Sequence, residues 1–504
     1  MKMKKNVWRV LSLLLVAVML FTALIGCKKE EEPADTETEA SASDVATAPT
    51  SKQETEALTD AQGYLKDDLP ETYDWQGREY RILSWEEVKD KEWVEPGEDY
   101  SAGFRRALYD RQVNMEQRFN IKFRFNFLAG SWGFRSDFAD ALANTVSSGA
   151  DYYDLVGMYT PTAGLVAQNK LAKDLNTIPY INPEKPWWPQ YLADTITIGD
   201  KLYFTTGGIS PTTIGTIFAI FANLDLWDSL QMSDQFDGRS VFEVVNDGDW
   251  TLEAMLTTAR NAVDDYGDII VLGASVNAYE DGFFYGGGFT MIENKNGALQ
   301  VSESLTSQRL SKFYDQIQTF YSGDWLDCAP GAGPSSFMVG KELFQEAELE
   351  HSPRYTDVVN FEYTALPMPK CDADQENYYS TNTFWMTMYS IPVDVPDEDF
   401  AGMILEGLAS ESYRTVKDAV YYDYYQARYT GSDDVDSVKM FDLITSSIVF
   451  DTARMFPDGL PSMFSAFRSG VRDDAKSKTS WNTIYARDID DWKQYCEDLF
   501  ALIG

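Results

Sequence analysis

The apolar periodicity in the first third of the chain predicts an α/β fold with a parallel β-sheet. Residues 80–84, 121–127 and 154–159 are short strand-like runs, and the middle one alternates apolar residues with Lys, Arg and Asn, which is the period of a half-buried strand. Residues 101–119 carry an imperfect apolar stripe at helical spacing, and residues 138–146 predict a second helix. This order of strands and helices implies parallel strands joined by helical crossovers.

The rest of the chain is expected to continue in mixed elements and to end in helices. Residues 217–223 predict an apolar strand. Thr251 is placed to cap the first turn of a helix that follows it. Residues 401–408 predict another helix, and residues 412–502 a largely helical C-terminal region.

Residues 1–26 are interpreted as an export signal. Four basic residues precede an uncharged apolar run at residues 10–25, which is shorter than the ~20 residues that a spanning helix needs. The run ends in Leu-Ile-Gly before Cys27, which resembles the lipobox of bacterial lipoproteins. The resemblance implies that residues 1–26 are removed and that Cys27 carries a lipid. A plain signal peptide or an anchor helix is the alternative.

Residues 27–71 are expected to form a disordered acidic tether. Glu, Thr, Ala, Ser and Asp dominate this stretch, and aromatic residues are nearly absent. Such a segment buries too little apolar surface to offset the entropy of ordering it. Its like charges repel, so it should extend and hold the folded part away from a membrane surface.

The charge of the chain argues against nucleic acid as a partner. The chain has 80 acidic and 42 basic residues, for a formal net charge of −38, and loss of the four positive charges in residues 1–26 would bring it to about −42. Such a protein repels phosphate backbones. An anionic lipid surface would repel it as well, which makes a covalent anchor more necessary.

Histidine and cysteine usage excludes several kinds of site. His351 is the single histidine, so a His-rich zinc site is excluded, and it is expected to be an exposed residue in the last turn of a helix. Cys-x-x-Cys pairs and a Walker-type phosphate loop are absent, so neither a cofactor nor ATP hydrolysis is expected. If Cys27 is lipidated, Cys328, Cys371 and Cys496 remain, and they can form at most one disulfide.

Short motifs along the mature chain are weak singly but fairly specific in their order and spacing. They are residues 153–156, 171–175, 199–203, 223–225, 249–251, 337–344 and 366–370. Their succession resembles that of the extracellular solute-binding lipoproteins of bacterial ABC importers, in the carbohydrate-binding group of the family 1 type.

This resemblance implies two α/β lobes of the type II periplasmic-binding-protein kind, joined by hinge strands and followed by a helical C-terminal region. The chain would cross to the second lobe near residues 205–216 and return near residues 361–370. The expected limits are residues 72–210 with 366–410 for the N-terminal lobe, and residues 211–365 with 411–504 for the C-terminal lobe.

Ligand-contacting residues are expected where strands of the first sheet end. In open α/β sheets, ligands bind outside the carboxyl ends of the strands. Trp85 and Glu86 follow the first predicted strand, and Tyr159 and Thr160 end the third. A sugar has apolar C–H faces and a rim of hydroxyls, so aromatic rings beside polar side chains suit it.

Other aromatic residues extend this candidate site. Tyr285 stands beside glycines that would let a ligand approach the backbone, and the implied fold brings Trp385 back toward the cleft. Trp187 and Trp188 lie between two prolines, outside a regular helix, and are interpreted as structural packing.

The resemblance implies a substrate-binding component without enzyme activity. It would capture a carbohydrate, expected to be an oligosaccharide, between the lobes and deliver it to a membrane permease, while anchored by lipid on the extracellular face of the cell membrane. Three alternatives remain open. They are a binding protein for another solute such as a peptide or polyamine, a surface glycoside hydrolase, and a sensor or adhesin.

Overall fold

The structure is a computed structural model that describes residues 59–504 apart from residues 61, 99–103, 150–152, 267–269, 274–279, 324–325, 328–334, 422–434 and 473–478. The export signal, Cys27, most of the tether and Cys328 therefore lie outside the described residues. The strands are β1 (Arg78–Trp85), β2 (Ile121–Leu128), β3 (Leu155–Tyr159), β4 (Phe218–Asn223), β5 (Ile270–Gly273), β6 (Ile292–Lys295), β7 (Ala298–Val301), β8 (Leu326–Asp327), β9 (Glu342–Glu348), β10 (Tyr363–Leu366) and β11 (Thr387–Ser390).

Helices cover the sheets and form the C-terminal part of the described chain. They are α1 (Lys89–Glu92), α2 (Arg105–Phe119), α3 (Arg135–Ser148), α4 (Thr160–Gln168), α5 (Gln190–Ile196), α6 (Thr212–Gly215), α7 (Leu224–Ser229), α8 (Val241–Asn246), α9 (Leu252–Tyr266), α10 (Glu280–Gly286), α11 (Gln308–Tyr321), α12 (Ser335–Met338), α13 (Ser352–Val358), α14 (Glu398–Arg414), α15 (Val416–Asp418), α16 (Val435–Ser446), α17 (Thr452–Met455), α18 (Met463–Arg472) and α19 (Trp481–Ile503). Within the described residues, none of these helices is both long and apolar enough to cross a membrane.

A first sheet forms from strands in the order β11-β3-β1-β2. The β1 strand pairs in parallel with both β2 and β3, while β11 runs antiparallel to β3. Every residue of β3 is buried because helices cover both faces of the sheet at its centre. The predicted strand–helix–strand–helix–strand order is confirmed, with boundaries within a few residues of those expected.

A second sheet has the order β10-β4-β9-β5-β8. It is mixed, because β5 is parallel to β8 and β9 while β4 is antiparallel to β9 and β10. All six residues of β4 are buried, in keeping with its uninterrupted apolar sequence. We call the parts of the chain packed around the two sheets the first and the second lobe.

Two segments connect the lobes side by side. The outgoing segment, residues 205–217, is bridged to the first sheet where Thr205 and Tyr389 exchange two backbone hydrogen bonds of 2.9 and 2.7 Å. The return segment, residues 380–386, meets the end of the outgoing segment through the bridge between Ile217 and Asn382. The two stretches form the hinge between the lobes.

The expected return near residues 361–370 is wrong. Tyr363–Leu366 pairs with β4 in the second sheet, and Lys370 bridges Thr251 at the start of α9. The Pro-Met-Pro sequence at residues 367–369 closes this strand and is followed by a loop, so the chain turns back only at the return segment. The other predicted lobe limits stay predictions.

A buried carboxylate ties the hinge to the first lobe. Glu92, at the end of α1, accepts hydrogen bonds of 2.7 Å from the hydroxyls of Ser210 and Thr212 in the outgoing segment. It also accepts one of 2.9 Å from the hydroxyl of Tyr389 in β11. The backbone carbonyl of Glu92 accepts a 2.6 Å hydrogen bond from the buried guanidinium of Arg111. Four groups from three parts of the chain thus meet at one residue.

The end of the predicted tether is ordered, which corrects its expected limit at residue 71. Asp67 is buried and pairs with Arg118 of α2 at 2.6 Å and with Arg414 of α14 at 3.5 Å, and the Ser410 hydroxyl bonds to it. Burial alone would raise the pKa of the Asp67 carboxyl, but these hydrogen bonds and cationic neighbours lower it overall. The composition of the stretch does not indicate this order, because the partners of Asp67 are two arginines from distant helices.

Trp187 and Trp188 close the first lobe against α14. Both side chains are buried, and their indole N–H groups donate to the two carboxylate oxygens of Glu406, each at 2.9 Å. Burial raises the pKa of Glu406 to about 7, although the indole hydrogen bonds act to lower it. The backbone carbonyl of Trp187 also accepts the N–H of Gly208 in the outgoing segment at 2.9 Å.

Replacing Glu406 by Gln should flatten the pH dependence of stability between about pH 4.5 and 7. The pKa of Glu406 is raised in the folded state, so the folded chain binds a proton that the unfolded chain releases in this window, and wild-type stability falls as pH rises. The expected contribution is on the order of 3 kcal/mol across the window, and E406Q should lack it. Urea unfolding at several pH values would measure it. The exposed neighbour variant E184Q should follow the wild type, whereas an E406Q profile parallel to the wild type would contradict the assignment.

Candidate functional site

Three of the predicted aromatic residues form one cluster at the hinge edge of the first sheet. The ring of Trp85 lies 5.3 Å from that of Tyr159 and 5.5 Å from that of Trp385, measured between centroids. Trp85 ends β1 and Tyr159 ends β3, and the antiparallel β11 begins two residues after Trp385, so all three meet at the same sheet edge. Trp385 is 42% exposed, while the other two rings are buried beneath it.

Hydrogen bonds from side chains fix the orientation of this cluster. The indole N–H of Trp85 donates to the Thr387 hydroxyl at 3.0 Å. The hydroxyl of Thr160 donates to the carbonyl of Met386 at 2.9 Å, which holds the chain next to Trp385. Burial raises the pKa of Tyr159, although nearby arginines act to lower it, so the phenol is neutral and serves as a hydrogen-bonding group.

Further aromatic rings extend the cluster into the second lobe. Phe384 stacks on Trp132 at 6.1 Å with an interplanar angle of 16°, and it meets Tyr159 edge-on at 6.3 Å. Phe464 of α18 lies 5.9 Å from Phe384 and 6.1 Å from Trp132. We call these six residues (Trp85, Trp132, Tyr159, Phe384, Trp385 and Phe464) the aromatic cluster.

A buried group of charged residues, from α10, α17 and α18, lies against the aromatic cluster. Asp281 of α10 accepts two hydrogen bonds from Arg468, at 2.7 and 2.6 Å, and forms an ion pair with Arg454 at 3.0 Å. The guanidinium of Arg454 lies 4.6 Å above the ring of Phe384 and donates to the carbonyl of Asn382 in the return segment. The charged group therefore joins the second lobe to the hinge.

A second ion pair lies beside the Trp132 ring of the aromatic cluster. Arg135, at the start of α3, binds Asp458 with two contacts of 3.2 and 2.9 Å, and its guanidinium lies 4.3 Å above the ring of Trp132. The carboxylate of Glu87 accepts the backbone N–H groups of Gly130 and Ser131, which holds the loop that carries Trp132. Flat apolar rings bordered by planar charged groups suit a ligand with apolar faces and hydrogen-bonding edges.

The other predicted contacts lie in different surroundings. Glu86 is exposed, and Glu87 beside it holds the loop of Trp132. Tyr285 is buried, with the Arg454 guanidinium 5.6 Å above its ring. Thr160 is buried and committed to Met386. Contact of any of the six predicted residues with a ligand stays a prediction.

Sequence reasoning missed Trp132 and the arginines. The rule that selected Trp85 and Tyr159 applies equally to β2, which is parallel to β1 and ends at Leu128, four residues before Trp132. Gly130 provides a further signal, because a side chain there would come within 2.7 Å of Trp85. Arg454 and Arg468 carry no such signal, since they lie more than 170 residues after their partner Asp281 in sequence.

The structure corrects the expectation for His351. This residue ends a short 3-10 turn and precedes α13 rather than ending a longer helix, and its side chain is only 15% exposed. Its Nε2 atom lies 3.6 Å from Glu348, and burial lowers the pKa of the imidazole.

Cys371 and Cys496 are free and buried. Among the described residues, no group of His, Cys, Asp and Glu side chains could hold a metal ion.

Replacing Asp281 by Asn should strongly destabilise the protein. The substitution removes the negative charge that Arg454 and Arg468 share and leaves two buried guanidinium groups without it, for an expected loss of about 3–5 kcal/mol in the free energy of unfolding. Urea unfolding would measure the loss. The exposed Asp228→Asn substitution should stay within about 0.5 kcal/mol of the wild type. Equal stability of the two variants would show that Asp281 does not anchor the site.

Comparisons with known proteins bear on the fold. No family model matches the sequence, and a search of curated proteins gave no match. Among solved structures, the chain is similar to the GacH receptor of Streptomyces glaucescens, studied unliganded and with acarbose, at a TM-score of 0.51 and 14% identity over 84% of this chain and 99% of that one.

Two further structures show the same likeness. The galacto-N-biose-/lacto-N-biose I-binding protein of the ABC transporter from Bifidobacterium longum gives a TM-score of 0.55 at 13% identity, over 86% of this chain and 99% of that one. The ABC substrate-binding protein Lmo0181 from Listeria monocytogenes, in complex with cycloalternan, gives 0.52 at 12% identity, over 83% and 99%. At such identities the likeness concerns the fold. The chain has the two-lobed, type II periplasmic-binding-protein fold with a helical C-terminal region.

Proposed function

We propose that this protein is the substrate-binding component of an ABC transporter, which captures a carbohydrate between its lobes and delivers it to a membrane permease. The observation that carries the proposal is the aromatic cluster at the hinge. Trp385 and Trp132 are each 42% exposed there, beside a buried group of two arginines and one aspartate. The similar solved structures are named as receptors or binding proteins, several of them with oligosaccharides, which also favours binding without catalysis.

The proposed mechanism is closure of the lobes on the ligand. Trp85, Tyr159 and Trp385 come from the first sheet and its hinge, whereas Phe464 and Asp281 come from the second lobe. An oligosaccharide that stacks on rings of both lobes binds the closed state better than the open one, and only this difference shifts the equilibrium toward closure. The permease would then recognise the closed form.

A thermal-shift screen of the full-length protein against neutral and acidic oligosaccharides would test carbohydrate binding. A ligand at 100 times its dissociation constant should add about 2.7 kcal/mol of stability. The Trp385→Ala variant should lose this shift because it removes the exposed stacking surface, whereas Phe500→Ala, which alters an equally exposed ring of α19, should keep it. Incubation should release no reducing ends.

Two outcomes would contradict parts of this proposal. A shift with peptides or polyamines and with no sugar would overturn the carbohydrate assignment while leaving a solute-binding role. Release of reducing ends would overturn binding without catalysis and favour a glycoside hydrolase.

We also propose that the protein is held on the extracellular face of the cell membrane by a lipid on Cys27. The basic residues, the short apolar run and the Leu-Ile-Gly before Cys27 support this. The Cys27→Ser variant should lose incorporation of a radiolabelled fatty acid and move from the membrane fraction to the soluble secreted fraction. A Cys328→Ser control should stay labelled, and equal labelling of both variants would rule out Cys27 as the lipid site.

A further inference from the structure

A cavity of about 860 Å³ lies outside the aromatic cluster. It is bounded by Tyr191 of α5, by residues 245–248 at the end of α8, by the loop at residues 370–379 and by residues 443–449 at the end of α16. None of the residues of the aromatic cluster lines it. Its volume is in the range of small-molecule sites, and other cavities of about 170, 270 and 400 Å³ in the described part of the chain are smaller.

The loop that forms one wall is held rigidly. The side chain of Gln375 donates to the carbonyls of Gly286 and Asn377 at 2.8 Å, and its oxygen accepts the N–H of Cys371 at 2.9 Å. The buried amine of Lys370 donates to the Gln375 carbonyl at 2.9 Å. This wall is therefore formed before any ligand arrives, which lowers the entropy lost on binding.

Two tyrosine rings line this cavity. Tyr191 is 48% exposed and stacks on Phe450 at 6.5 Å with an interplanar angle of 29°. Tyr379 is half-buried at the end of the loop at residues 370–379 and lines the same cavity. Two phenol rings thus face one space from different parts of the chain.

Polar groups border the same space. Asn246, Glu376 and Asn377 are exposed at the cavity, and their side chains form no hydrogen bond with the described residues, so they are available to a ligand. Amide and carboxylate groups beside aromatic rings recognise hydroxyls and C–H faces together.

We infer that this cavity is a second saccharide-binding site, independent of the aromatic cluster and with room for a short oligosaccharide. The inference goes beyond the proposed function, because it rests on the lining of this cavity and requires nothing of the cleft. The cavity is also joined to the hinge, since its wall continues into the return segment at Ser380. There the backbone N–H of Ser380 donates to the carbonyl of Ser447 at 2.9 Å, and the N–H of Val449 donates to the carbonyl of Ser380 at 2.7 Å.

The number of trisaccharides bound per chain tests this inference. The full-length protein would be titrated with maltotriose, cellotriose, xylotriose and chitotriose in turn, with native mass spectrometry as the readout. For at least one probe, the wild type should bind two molecules. Trp385→Ala should lose one of them, and Tyr191→Ala or Tyr379→Ala should lose the other. Tyr73→Ala, which alters an equally exposed ring elsewhere, should keep both.

The remaining outcomes separate this site from the cleft. One bound molecule that is lost in Trp385→Ala and kept in both cavity variants would overturn the second site and leave the proposed function standing. One bound molecule that is lost only in the cavity variants would support the cavity and overturn binding at the aromatic cluster. Absence of binding with every probe would overturn both. Circular dichroism would confirm that each variant is folded, and a crystal soaked with the bound probe should show it between Tyr191 and Tyr379.

Discussion

The carboxylate of Glu92 is the interaction on which the two-lobed arrangement depends. Three hydroxyls converge on it, two from the outgoing segment and one from β11, so the stretch that leaves the first lobe and the strand that completes it are fixed to the same point. A buried carboxylate is tolerated because hydrogen bonds replace its water. The outgoing segment and β11 are thus held together at the base of the hinge.

The aromatic cluster lies just beyond that fixed base. Thr387 of β11 positions Trp85, and Thr160 positions the chain beside Trp385, so the rings of the first lobe are held by the same strand that Glu92 secures. On the other side, Arg454 connects Asp281 to the carbonyl of Asn382 in the return segment. The charged group and the rings are thus joined through the return segment.

More of the fold than of the site could be predicted from the sequence. Alternating and continuous apolar runs located β1, β2, β3 and β4. A strand buried on one face alternates apolar and polar residues, and a strand buried on both faces is apolar throughout. The return of the chain to the first lobe was predicted too early, near residues 361–370. The apolar pattern of Tyr363–Leu366 would suit a strand of either sheet, and only the structure shows that it pairs with β4 of the second sheet.

For the site, the strand-end rule located Trp85 and Tyr159 but could not supply their partners. Arg454 and Arg468 reach Asp281 from segments far along the chain, and nothing local marks an arginine as the partner of a particular aspartate. The ordered end of the tether was missed for the same reason, since Arg118 and Arg414 compensate a stretch whose own composition would leave it unstructured. Local sequence patterns indicate which residues are buried, whereas ion pairs between distant residues depend on the tertiary fold.

The position of β11 in the chain bears on how this protein is made. The first sheet contains residues 78–159, yet its edge strand is residues 387–390, and the helix that packs on α2 follows at residues 398–414. During synthesis, β3 remains an unpaired edge until more than 220 further residues have emerged, among them the whole second sheet. Pairings of such long sequence separation fold slowly. The first lobe is thus begun first, and its sheet is completed only after the second sheet has been made.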